Sequence, residues 1–119
     1  MALGKIKADT LEHSTAGSLD TQFVVRGSVK VWHNQTADGQ TLKGSFNVSS
    51  LSDLATGNYQ VHISNSLNDA NYSGSLTMYG DNREEPFLYD FTTSSYKNYV
   101  YDGTYQDGAN VTAIFGDLA

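Results

Sequence analysis

The residues best suited to move protons or hold a metal ion are His13, His33 and His62, and they fall in three separate segments. Neither a His-x-His nor a His-x-x-x-His spacing occurs, and with no cysteine in the chain nothing completes a zinc set. Each histidine therefore reads as an ordinary strand or surface residue. Serines abound, but no Gly-x-Ser-x-Gly turn presents one as a nucleophile. Among the acids, Glu84 and Glu85 are neighbours; in an extended loop they point opposite ways, which makes them a poor acid and nucleophile pair. Asp102 and Asp107 precede glycines in turn dipeptides, where aspartate serves the backbone. Together with Asp81 they could offer oxygens to calcium, but no twelve-residue loop with a closing glutamate is present. The expectation is a protein with no catalytic residues, no cofactor and no metal. Tyrosine is the richer signal. Tyr89, Tyr96, Tyr99, Tyr101 and Tyr105 fall within seventeen residues of one another, interleaved with Asp90, Asn98, Asp102 and Asp107. Rings with one apolar body and one polar tip suit adaptable recognition and sugar stacking. The candidate recognition set is Tyr96, Tyr99, Tyr101 and Tyr105; the alternative for these rings is core or cross-strand packing.

Such a set must be held by strands. Period-two alternation recurs along most of the chain. Phe23, Val25, Val29 and Val31 occupy odd positions and predict one long strand kinked at Gly27, with its odd row facing the interior. Trp32 falls on the otherwise polar face, which calls for a second apolar surface there. Asp38-Gly39 marks a turn, after which Leu42, Gly44, Phe46 and Val48 line one face of the next strand. Tyr59–Ile63, Tyr72–Met78, Phe87–Phe91, Tyr99–Tyr101 and Val111–Phe115 supply further strands, and the charged segment around Pro86 reads as an exposed connection. About seven strands with turn signals every ten residues or so predict an all-β, jelly-roll-like sandwich over residues 21–119. Residues 1–20 hold few apolar side chains and read as an extended attachment or oligomerisation segment, either flexible or ordered against another copy or another protein.

At 119 residues the chain has room for a single core. Charged residues make up only 17%, and the net charge of −6 with seven Lys and Arg argues against binding a phosphate backbone. No apolar run reaches the length of a signal peptide or a membrane span, so neither a secretory route nor membrane insertion is expected. Asn-x-Ser/Thr triplets at Asn34, Asn47, Asn71 and Asn110 follow from a composition rich in those residues.

One combination is more specific. Lys30-Val31-Trp32, Gly44-Ser45-Phe46-Asn47-Val48-Ser49-Ser50, Thr56-Gly57-Asn58-Tyr59-Gln60-Val61, Asp69-Ala70-Asn71-Tyr72 and the closing Val111-Thr112-Ala113-Ile114-Phe115-Gly116 resemble, in order and spacing, a module of marine bacteriophage tail-fibre and receptor-binding-type proteins, those of cyanophages especially. Ile6–Leu11 and Phe23–Ser28 resemble the lead-in such proteins carry; Ser73 to Asn110 has no counterpart. The resemblance implies a virion structural protein of the tail-fibre class: a homotrimer, joined to other virion tail proteins, contacting a host-surface polysaccharide. Two other readings remain open, a capsid decoration or head-fibre protein and a small polysaccharide-degrading tail enzyme.

Overall fold

A computed structural model describes residue 4 and residues 6–78, 85–101, 103–104 and 106–119. The protein is all-β, with one short helix among the described residues. A two-stranded ribbon, β1 (Thr10–His13) and β2 (Gly17–Asp20), leads into α1 (Thr21–Gly27). Eight strands follow: β3 (Val29–Gln35), β4 (Leu42–Phe46), β5 (Val48–Ala55), β6 (Asn58–Ile63), β7 (Ser73–Met78), β8 (Glu85–Tyr89), β9 (Ser95–Tyr101) and β10 (Asn110–Phe115). They form two antiparallel sheets, ordered β4-β3-β10-β7 and β5-β6-β9-β8. The sheets stack into a sandwich, as the alternating pattern requires once each strand has one apolar face to hide.

Pro86, read as part of an exposed connection, lies in β8 opposite Val100, and two larger sequence expectations also change. The strand expected over Phe23–Val31 is a helix up to Gly27 and a strand only from Val29. Thr21, Val24 and Val25 are spaced three and four apart, which puts them on one helical face, and Arg26 in the last turn suits the helix dipole. The Ser28 N–H donates to the Val24 carbonyl at 3.3 Å and closes the helix. A run with valines at both odd and even positions fits either period, and no neighbouring strand is present to select the extended form. The segment before the sandwich is thus a hairpin and helix, and the sandwich itself begins at Val29.

The second change is the extra strand β5. Phe46 and Val48 look like one continuous alternation, but Asn47 between them adopts φ 57 and turns the chain from the first sheet into the second. Asparagine tolerates this left-handed geometry because its side chain can bond nearby backbone. Here its Oδ1 accepts the Asn65 N–H at 2.7 Å, and its Nδ2 donates to the carbonyls of Asn65 at 3.0 Å and Lys30 at 3.2 Å. One residue therefore ties three segments at the sandwich corner. Asn47→Ala is expected to lower the unfolding free energy by about 2 kcal/mol, and Asn47→Gly, which restores the backbone freedom only, by about 1 kcal/mol. Urea denaturation midpoints of the two variants check this order.

The interior is graded along its length. Near the corner, Val31, Val61, Ile63, Leu67, Tyr72 and Ile114 make the apolar core, with Leu51, Leu88 and Phe91 packed against it. Gly74 is needed there, since a Cβ would stand 2.5 Å from Ile114 Cδ1. Toward the opposite end the inward positions turn polar: His33, Thr112, Asn98, Asn110 and Gln35 are all buried. Trp32 does face outward, over Gly44 and beside Phe46, its partner across β3 and β4. Among the described residues no helix is long and apolar enough to cross a membrane.

Candidate functional site

Strand parity decides which tyrosines are reachable. Along β9 the even positions Tyr96, Asn98 and Val100 point inward, and the odd positions Lys97, Tyr99 and Tyr101 point out. Tyr96 is 0% exposed and is removed from the candidate binding set: its place in the strand sends the ring into the core. Its hydroxyl lies 2.6 Å from Thr112 Oγ1 and 2.9 Å from His33 Nδ1. Tyr105 lies outside the described residues, as do Asp102, Glu84 and Asp81.

The outward residues of β9 meet matching rows on their neighbours. Phe87 sits opposite Tyr99 and Tyr89 opposite Lys97 across β8 and β9, and Asn58 sits opposite Tyr99 across β6 and β9. The Phe87 and Tyr99 rings stack with centroids 5.0 Å apart and an interplanar angle of 29°. Tyr89 meets Tyr99 edge-on at 5.2 Å. The Tyr89 hydroxyl donates to Asn58 Oδ1 at 2.7 Å, which fixes that ring. At the foot of the row Lys97 Nζ lies 2.6 Å from Asp90 Oδ2 and 5.9 Å from the centre of the Tyr89 ring. The Asp90 carboxylate holds the Lys97 ammonium above its ordinary range, so it stays charged. Phe87 and Tyr101 remain open to solvent.

This outer face therefore joins four aromatic rings to amide, ammonium and carboxylate groups on rigid strands. Sequence reasoning placed Tyr99 and Tyr101 in the binding set, held Tyr89 only in the wider tyrosine cluster, and did not reach Phe87 or Asn58. The alternation Phe87-Leu88-Tyr89 placed both rings on one side of a strand, and that was the available signal. What stayed hidden was that β8 lies beside β9.

Elsewhere polar contacts tie strands and turns together. Asp107 Oδ1 accepts the Gly57 N–H at 2.7 Å and the Tyr59 hydroxyl at 2.9 Å, so its carboxylate clasps the β5–β6 turn to the β9–β10 connection. Burial and that carboxylate hold the Tyr59 phenol well above its ordinary range, and it remains a donor. Ser52 Oγ and His62 Nε2 are 2.9 Å apart, but among the described residues no carboxylate bonds the other ring nitrogen. A serine nucleophile needs that third group to orient its base. Among the described residues no cluster of His, Cys, Asp and Glu could hold a metal ion.

No protein-family model matches the chain, and neither a curated protein nor a solved structure does.

Proposed function

We propose that this chain is a bacteriophage virion structural protein of the tail-fibre class. It assembles as a homotrimer, joins other tail proteins through its N-terminal segment and binds a polysaccharide of the host surface with the outer face of the β5-β6-β9-β8 sheet. On this reading it is made in the host cytoplasm, acts in the virion, and carries no catalysis, cofactor or nucleic acid. The sequence resemblance supplies the class. The observation that carries the ligand is the outward-facing row of Phe87, Tyr99, Tyr89 and Tyr101, exposed at Phe87 and Tyr101 and half-buried between them, flanked by Asn58, Lys97 and Asp90. Sugar rings offer flat C–H faces for aromatic contact and hydroxyls for amide, ammonium and carboxylate partners.

The layout suits that division of labour. α1 enters the sandwich at Val29, the end where Asn47 turns the corner. β9 starts beside that end and runs away from it, so Tyr101 lies at the far end, remote from the N-terminal segment. Losing one stacking ring removes roughly 1.4 kcal/mol, about tenfold in affinity. Tyr99→Ala and Phe87→Ala should therefore each weaken binding to purified host-surface polysaccharide by about tenfold and reduce adsorption of virions carrying them. Unchanged adsorption by both variants, with the fold intact, overturns the glycan reading.

A further inference from the structure

Between Thr10 and Gly27 no side chain is buried, although the segment is folded into a hairpin and a helix. Isolated hairpins and helices of this length are marginal in water, so this element needs a cover. The Thr21 N–H donates to the Asp9 carbonyl at 2.8 Å, and the Thr21 hydroxyl donates to the Ala8 carbonyl at 2.7 Å, binding helix to lead-in. On one side Ile6, Leu11, Val24 and Val25 line a groove of about 530 Å³, with Lys7 and Asp9 among its walls. Leu19 stands directly opposite Leu11 in the hairpin and continues the same face. Ile6 is 91% exposed and Val25 62%. Monomeric proteins seldom leave so continuous an apolar face in water.

Charge distribution says what covers it. Residues 1–27 carry three basic and three acidic residues, whereas residues 28–119 carry four basic and ten acidic. Two sandwiches brought face to face repel; two N-terminal elements do not. A groove lined by both Lys7 and Asp9 is also self-complementary, since the cation of one copy can meet the anion of another.

We infer that this face is the self-association surface of the chain, and that its occupant is a second copy of the same element. The inference rests on the oligomeric half of the reading above and is independent of the ligand.

Sedimentation velocity and light scattering on the full chain at tens of micromolar test it, with two double variants. Leu11→Ser with Val25→Asp should reduce the oligomer to monomer mass, weakening association by more than about tenfold, while sandwich melting is unchanged. Trp32→Ser with Phe46→Ser, which removes the exposed patch on the other sheet, should leave the oligomer intact. The cysteine-free chain allows a second measurement that does not depend on those variants folding. Leu19→Cys should be captured as a covalent dimer by a short bis-maleimide, and Phe46→Cys should not. A monomeric wild-type chain overturns both this inference and the oligomer. An oligomer that survives the Leu11 and Val25 changes, or is lost on changing Trp32 and Phe46, overturns the inference alone. Loss of glycan binding with the oligomer intact leaves it standing.

Discussion

Gly57→Ala is expected to destabilise the sandwich by roughly 3 to 5 kcal/mol and to lower its melting temperature by on the order of 10 °C or more. Gly57 adopts φ 66, a conformation that costs an L-residue about 1 to 2 kcal/mol. A second cost comes from contact. A Cβ at this position would lie 2.2 Å from the Gln106 carbonyl oxygen and 2.9 Å from its carbon, and both atoms are backbone. Relief by local shift is also blocked, because the Gly57 N–H is held by Asp107 Oδ1 and the Gly57 carbonyl accepts the Val100 N–H at 2.9 Å. Gly103 is the internal control. It shares the left-handed geometry at φ 69, yet a Cβ there meets nothing within 4 Å. Gly103→Ala should cost about 1 to 2 kcal/mol, the backbone term alone. Equal losses for the two variants in guanidinium denaturation would mean that the β5–β6 turn is not seated on the Gln106 backbone.

That turn was legible as a turn, since Thr56-Gly57-Asn58 separates two apolar-alternating runs, but its seat on Gln106 was not. The general rule holds along the chain. β6 could be read directly because its inward residues Tyr59, Val61 and Ile63 are apolar, whereas in β10 the inward row is Asn110, Thr112 and Ile114 and the apolar alternation Val111, Ala113 and Phe115 read from the sequence is the less buried one. The parity of β9 was obscured by Asn98, a polar residue on the inward side next to Val100. Likewise His33 and Gln35 continue the inward row of Val29 and Val31, and no local pattern distinguishes a buried polar residue from an exposed one. Their burial depends on Thr112, Tyr96 and Asn110, which are more than sixty positions away and arrive only with the fold. α1 failed for the opposite reason: none of its residues is buried, and among the described residues it is held by surface contacts, Thr21 to the carbonyls of Ala8 and Asp9 and Arg26 to Asp117, so neither period had a core to enforce it. The same lack of tertiary support marks the element proposed for self-association. For the candidate binding face, Tyr99 and Tyr101 were within reach of sequence, whereas the stacking of Phe87 on Tyr99 is set by the pairing of β8 with β9.

The buried polar centre should make stability fall in mild acid. His33 Nε2 lies 2.9 Å from Gln35 Oε1, and its Nδ1 is 2.6 Å from Thr112 Oγ1 and 2.9 Å from the Tyr96 hydroxyl. These contacts close as a consistent set when Nε2–H donates to Gln35, the Tyr96 hydroxyl donates to Thr112, and the Thr112 hydroxyl donates to Nδ1. Desolvation by burial moves the imidazole below its ordinary value of 6.5, opposed by the hydrogen bonds of Gln35 and Asn110, so the folded protein holds it neutral. Burial likewise keeps the Tyr96 phenol protonated. Among the described residues none of the groups bonding His33 is charged: Gln35, Tyr96, Thr112 and Asn110 are neutral amides or hydroxyls. Because the unfolded chain then binds the proton more readily, stability is complete above the unfolded value and declines as pH falls through 6.5 toward the lowered folded value. Urea midpoints measured from about pH 8 down to about pH 5 should show this decline, and His33→Gln should remove it. At neutral pH Tyr96→Phe, which leaves the Thr112 hydroxyl oxygen without its donor, is expected to cost about 2 kcal/mol. Tyr96→Ala, which also empties the ring's place between the sheets, is expected to cost about 4 kcal/mol. A decline of the same size in His33→Gln would assign the acid sensitivity to the carboxylates instead, and a silent Tyr96→Phe would show that the hydroxyl triangle contributes nothing to the fold.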